Sequence, residues 1–184
     1  MESKKIIRQQ QQKKIQEWWH SSNSQIASLY QQLFAAPYFQ KAQSIAVSLS
    51  MTNELPTQPI IQTALQLGKQ VYLPKTGANR KMEFFDLSAQ QQFQKTAFGV
   101  WEPDAIGPLG SKGADLTIVP ALAVALDTKQ RLGFGAGYYD HYLATHPTTS
   151  VVLAIPPVAM PQAAWPVAKW DYSLDYIITG EYKL

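Results

Sequence analysis

Arg131, Gly133, Gly135, Gly137, Tyr138, Tyr139 and Asp140 fall within one short run, R-L-G-F-G-A-G-Y-Y-D at 131–140. Alternate glycines let the main chain come close to a ligand. Amide N–H groups at a helix entrance, helped by the helix dipole, favour phosphate oxygens. Arg131 stands at the mouth of the loop as a fixed cation, and Asp140 just past it is a candidate Mg2+ anchor. The chemistry that suits this set is the gripping of a polyphosphate. The loop is not a P-loop, because it lacks the G-K-[ST] ending, and Tyr138 stands where the third glycine of a dinucleotide G-x-G-x-x-G would be. A tight turn with glycines at positive φ is the competing reading. A turn needs neither the arginine before it nor the two tyrosines and the aspartate after it.

Such a loop needs a strand leading in and a helix leading out. The apolar run at 116–119, stopped by Pro120, reads as a buried strand, and 138–144 as the helix. At the start of the chain, 3–19 reads as a helix with Ser3 as N-cap. Lys4 and Arg8 are i,i+4 on it and share a face, which suits a solvated basic surface as well as a phosphate grip. A second helix over 24–36 ends near Pro37. A strand at 44–50 leads into a loop at 51–56, and a helix over 57–67 closes with Gly68 at C′. Glu54 lies in that loop off the carboxyl end of a strand, where ligands collect in open α/β sheets. An acidic residue favoured by the helix dipole would stand there too.

Further strands are expected at 70–73, ended by Pro74, and at 82–86, 151–155 and 176–179. The stretch 98–113, rich in glycine and proline, reads as a long loop, either mobile or substrate-lining. Trp101 within it suits either stacking on a flat heterocycle or a structural anchor. Asp171 and Asp175 precede the last strand; Asp171 also suits a turn. Alternating strands and helices predict one α/β domain over 1–184. Its fold class is a three-layer, open, largely parallel sheet with helices on both faces, Rossmann-like.

The segment R-L-G-x-G-x-G-Y-Y-D, after D-L-x-x-V-P at 115–120, resembles the signature of the 5-formyltetrahydrofolate cyclo-ligase family. Other pieces fall in the family's order: Lys4-x-x-x-Arg8, Glu54, Leu73-Pro74, Phe98-Gly99-Val100 with Glu102-Pro103, and Asp171-x-x-x-Asp175. Two positions depart from it, Phe134 where the family usually has a basic residue and Ala136 where it usually has glycine. The resemblance implies that ATP and 5-formyltetrahydrofolate give 5,10-methenyltetrahydrofolate, ADP and phosphate, with Mg2+. Phosphorylating the formyl oxygen makes it a leaving group, and folate N10 closes the ring.

The resemblance also implies roles. ATP would lie on Lys4, Arg8, Arg131, Leu132, Gly133, Phe134, Gly135, Ala136, Gly137, Tyr138 and Tyr139. The folate would lie on Leu49, Glu54 and Trp101, with Phe134, Gly135, Ala136, Gly137 and Tyr138 walling its formyl end. Mg2+ would lie on Asp140 and Asp175, Asp175 matching the family pattern better than Asp171, and Arg131 and Tyr138 would act in catalysis. Lys75 or Lys129 would stand in for the cation missing at 134. Arg131→Ala and Asp140→Ala would then remove turnover while leaving the fold intact. Two other readings stay open: a folate- or nucleotide-binding relative whose catalysis has decayed, marked by Phe134 and Ala136, and a nucleic-acid-binding protein using its basic first helix. No nucleic-acid module is readable for the latter.

Composition sets outer bounds. The 184 residues suffice for a core, the 46% apolar fraction is that of a globular protein, and the absence of cysteine removes disulfides, thiolate nucleophiles and Cys-ligated metals. His20, His141 and His146 show no metal-ligand spacing. The net charge of +3 gathers in the first fourteen residues, which suits an anionic ligand. No signal peptide is readable, and the longest apolar run, 116–126, falls short of the ~20 residues of a membrane span. A cytoplasmic monomer with no nucleic-acid or membrane partner is expected.

Overall fold

The computed structural model describes residues 2–21, 26–89, 92–96, 99–104 and 113–180. Ser3 caps the first helix as expected: its Oγ accepts from the Ile6 N–H at 3.4 Å and its carbonyl from the Ile7 N–H at 3.2 Å. Helix α1 then runs Lys4–Ser21. Ile7, Gln11 and Ile15 recur every four residues and are the buried positions of this helix. That stripe lays α1 across the body of the protein. Gln11 is part of the attachment, its Nε2 donating to the Leu122 and Pro157 carbonyls at 3.1 and 2.7 Å. Both carbonyls lie outside the named strands and helices.

Helix α2, Ile26–Ala35, buries Leu29, Tyr30 and Leu33. Pro37 does more than end it. It opens a further short helix, α3 (Pro37–Lys41), at the first helical position, where a missing N–H costs nothing. Strand β1 (Ser44–Ala46) leads through a loop to α4 (Gln58–Gln66), and Gly68 follows α4 with φ +71°, the left-handed C′ residue. Strand β2, Gln70–Thr76, runs through Pro74 instead of stopping at it. Pairing with β1 ends at Tyr72, so the proline sits where that side of the ladder has finished and only β3 (Met82–Asp86) is alongside.

Part of the expected 98–113 loop is a hairpin, in which β4 (Phe93–Lys95) pairs antiparallel with β5 (Trp101–Pro103). Its residues 98 and 105–112 lie outside the described residues, as do 22–25. Beyond it come β6 (Leu116–Ile118), β7 (Ala123–Ala125), β8 (Arg131–Leu132), helix α5 (Tyr138–Thr145), β9 (Thr149–Leu153), β10 (Ala159–Met160) and β11 (Tyr176–Ile178).

The main sheet has the order β11-β9-β6-β1-β2-β3, parallel from β11 to β2 and antiparallel only at β3. Helices α2, α4 and α5 pack on it. The expected α/β architecture with a largely parallel sheet is therefore the one observed. Its inner strands read as unbroken apolar runs because both faces are covered: Leu116, Thr117 and Ile118 are all buried, as are Ser150 through Leu153.

A second sheet, β10-β7-β8, was not foreseen. The apolar run 116–126 is two strands, not one, because Pro120 turns the chain out of the main sheet. Strand β7 then doubles back through a tight turn with Lys129 at φ +58°. Ile7 of α1 packs on this small sheet with Leu132 and the fully buried Trp165. That contact brings the amino end of α1 over the loop that follows β8.

Candidate functional site

The loop 133–137 needs glycine for three separate reasons. Gly135 and Gly137 have φ of +118° and +76°. A Cβ on Gly133 would fall on Nη1 of Arg131. One on Gly135 would come within 3.4 Å of the Arg8 guanidinium carbon. Ala136 is not among the residues with positive φ, so its methyl group meets no backbone penalty. Gly137 is the N-cap of α5 and offers no side chain to it. The N–H groups of Gly133 to Asp140 reach no acceptor among the described residues. Together they form a row of free donors at the positive end of a helix dipole.

Arg131 and Arg8 lie against the loop, and Lys4 lies against Asp171. The Arg131 side chain is 3% exposed, and its Nη2 donates to Asp140 Oδ1 at 3.1 Å. The Tyr139 ring lies against it, 5.6 Å from the guanidinium carbon. Burial pulls Arg131 below its ordinary pKa, and the charge of Asp140, then Tyr139 and Asp171, pulls it back. Arg8 Nε donates to the Gly133 carbonyl at 2.8 Å. Lys4 Nζ meets both oxygens of Asp171, at 2.8 and 2.5 Å. Lys4 and Arg8 thus share an inward face and are not a solvated basic surface, which takes the two best-placed cations away from the nucleic-acid reading. Leu132 contributes only backbone here, because its side chain is in the core below.

Of the two aspartates, Asp171 meets Lys4, while Asp175 is bonded to Ser150. Asp175 Oδ2 accepts from the Ser150 N–H and Oγ at 2.8 and 2.7 Å. It lies at the amino end of β11 beside the amino end of β9, whereas the other site residues collect at the carboxyl ends. The segment 171–175 runs between the two. Asp171 meets Lys4, the Tyr172 N–H reaches Asp140 Oδ1 at 3.3 Å, and Ser173 bridges to Gln130. The run from Asp171 to Asp175 is long enough to cross most of a strand's length, roughly 13 Å at 3.3 Å per residue. Asp140 takes both of its bonds on Oδ1 and none on Oδ2 among the described residues. An open carboxylate oxygen beside free N–H donors suits an ion such as Mg2+, which keeps several waters and takes few protein ligands. No group of three His, Asp or Glu able to cage a metal occurs among the described residues.

Beyond the loop opens a cavity of about 760 Å3. Its walls come from α1, from the loops after β1, β6 and β9, and from the β2–β3 and β4–β5 hairpins. Phe134, Ala136, Tyr138 and Tyr139 close its loop end, and Leu49 and Glu54 stand on its walls. The Glu54 carboxylate accepts from the Met51 N–H at 2.7 Å. Burial raises its pKa, and that hydrogen bond lowers it in part. Tyr138 donates its hydroxyl to the Gly77 carbonyl at 3.2 Å.

Trp101 is not brought to the cavity. Strand alternation turns its neighbours Val100 and Glu102 inward and leaves the indole 49% exposed under Lys95. Neither proposed replacement for the cation missing at 134 is at hand. Lys75 pairs with Asp104 at 3.8 Å, and Lys129 donates to the Asp175 carbonyl at 2.9 Å. Two residues had no role assigned from the sequence, and one of them, Glu102, stands on the cavity wall. Glu102 is buried and accepts from the Thr76 N–H and Oγ1 at 3.1 and 2.8 Å, and Gln11 is the polar member of an apolar helix stripe. For Gln11 the i, i+4 spacing from Ile7 was a usable signal.

Comparison with known proteins decides what this arrangement is related to. The family model described as the 5-formyltetrahydrofolate cyclo-ligase family matches residues 1–180. The chain belongs to that family. Among curated members, the Escherichia coli (strain K12) 5-formyltetrahydrofolate cyclo-ligase is 31% identical, over 75% of this chain and 78% of its own. The probable enzyme of Schizosaccharomyces pombe is 27% identical over 88% and 87%. That of Caenorhabditis elegans is 29% identical over 66% of this chain, and the match spans 63% of its own length. Two solved structures share the fold. The Aquifex aeolicus 5,10-methenyltetrahydrofolate synthetase has a TM-score of 0.79 at 24% identity, covering 96% of this chain and 89% of its own. The synthetase of Mycoplasma pneumoniae has a TM-score of 0.71 at 20% identity, covering 98% and 100%. For a cyclo-ligase family member, the departure at 134 places a ring, 41% exposed, against the cavity instead of a charge. Among the described residues no helix is long and apolar enough to cross a membrane.

Proposed function

We propose that this chain converts 5-formyltetrahydrofolate to 5,10-methenyltetrahydrofolate, with ATP hydrolysed to ADP and phosphate. One observation carries the reading: the same short loop is at once the cationic cradle and the end wall of the cavity. A triphosphate on its N–H groups and a folate in the cavity would meet there.

Arg131 and Arg8, with the free N–H groups, bind the phosphate oxygens by charge-assisted hydrogen bonds. Asp140 would hold Mg2+, with Asp171 nearby fixing Lys4; the ion, when bound, would neutralise phosphate charge. Glu54 accepts N–H bonds from the pterin edge. Phe134, Ala136 and Tyr138 hold the formyl group against the loop. The formyl oxygen then takes the γ-phosphoryl group as the bond to ADP breaks. Folate N10 adds to the activated carbon and gives up its proton, and the carbon–oxygen bond breaks to release phosphate. Positioning and charge neutralisation suffice, without a protein nucleophile.

The test is to follow methenyltetrahydrofolate absorbance with 5-formyltetrahydrofolate, ATP and Mg2+. Turnover that stops without ATP and on chelation is expected. A protein that binds both ligands and forms no product overturns the reading.

A further inference from the structure

Each of the three glycines of the loop is faced by a different arginine. The nearest groups to a Cβ placed on Gly133, Gly135 and Gly137 belong to Arg131, Arg8 and Arg80, the last with its Cδ at 3.8 Å. The three come from β8, from α1 and from the β2–β3 turn. We propose that Arg80 is a third cation of the cradle and binds phosphate oxygens of the nucleotide at the entrance of α5. The inference rests on the reading of the loop as an ATP phosphate site and adds to it a residue from an element otherwise outside it.

Three independent features of the β2–β3 turn support the assignment. The turn is docked on the loop, because Tyr138 donates its hydroxyl to the Gly77 carbonyl at 3.2 Å. It is closed internally by the Gly77 N–H on the Lys81 carbonyl at 2.8 Å. Asn79 and Arg80 are both left-handed, at φ +56° and +60°. Arginine is a poor choice for that conformation, and glycine or asparagine would serve the turn better. A residue kept there against its backbone preference is kept for its side chain.

The charge pattern agrees. The neighbouring Lys81 is spent on Glu83 at 3.2 Å, while Arg80 is exposed and pairs with no carboxylate among the described residues. Lys75 and Lys129 are both engaged elsewhere. Arg80 is therefore a cation beside the loop with no carboxylate partner among the described residues.

Arg80→Gly tests this without a folding penalty, since glycine accepts φ near +60° freely. Asn79→Gly relieves the adjacent strain and leaves the guanidinium, so it serves as the control. Binding of ATP, ADP and adenosine is measured by calorimetry, and that of 5-formyltetrahydrofolate alongside. Loss of one charge-assisted contact should weaken ATP about 10- to 100-fold. ADP should weaken in the same direction, with adenosine, the folate and the Asn79→Gly protein unchanged. Unchanged ATP affinity in Arg80→Gly overturns the inference and leaves the reading of the loop standing. Weakened folate with unchanged ATP also overturns it and assigns the guanidinium to the carboxylate tail of the folate. Wild-type protein that binds no ATP removes both the inference and the function it rests on.

Discussion

Asp140→Ala should cost stability as well as activity, contrary to the expectation that the fold would be left intact. Asp140 is the carboxylate hydrogen-bonded to a guanidinium whose side chain is 3% exposed, and it also accepts the Tyr172 N–H. Removing one partner of a buried ion pair leaves an uncompensated charge, which costs about 3–5 kcal/mol. Asp140 itself is 22% exposed and Asp171 remains nearby, so the lower end applies, about 3 kcal/mol. In a chain of this size each kcal/mol moves Tm by about 2–4 °C, so the melting point should fall by about 6–12 °C. Scanning calorimetry at neutral pH without ligands reads this directly. The double variant Arg131→Met/Asp140→Leu removes both charges and should recover most of the loss while staying inactive. Asp140→Ala melting within 2 °C of wild type, or a double variant melting lower than the single one, would refute the claim that Asp140 compensates a buried cation.

Glu54 has its pKa raised above the ordinary 4.5 by burial. Its ionised form costs stability, so that penalty is absent at low pH and grows as pH rises from the ordinary value through the raised one. Binding runs the other way. If the carboxylate accepts pterin N–H bonds, KM for 5-formyltetrahydrofolate should climb as pH falls through the raised value, and the inflection should vanish in Glu54→Gln; a KM flat down to pH 4.5 refutes the role. Gly135→Ala combines φ +118° with a Cβ at 3.4 Å from Arg8, so nucleotide affinity should fall at least about tenfold while folate binding holds. Isothermal titration showing wild-type ATP affinity would count against close main-chain approach at that residue.

Local patterns carried much of the design. Apolar runs at 116–119 and 151–155 read as buried strands because a strand covered on both faces has no polar side to show. Ser3, Gly68 and the loop glycines were legible because caps and left-handed positions restrict residue type on the spot. The helix end expected near Pro37 is observed, at Ala35, but the strand stop expected at Pro74 failed. A proline only forbids a hydrogen bond, and whether one was needed depends on what lies alongside. Strand β7 was hidden because its run, Ala123–Ala125, continues an apolar stretch that periodicity cannot divide.

Residue type and spacing by themselves marked a glycine-rich loop before a helix with Arg131 at its mouth, and an α/β sheet. Only the folded chain decided which distant groups meet there. Lys4 finds Asp171 across 167 positions, Asp175 is carried to the opposite end of the sheet, and a turn between β2 and β3 sets Arg80 beside Gly137. The physical reason is that backbone preference and burial act over a few residues. The end of a strand at which a side chain emerges is set instead by the order and direction in which strands pair.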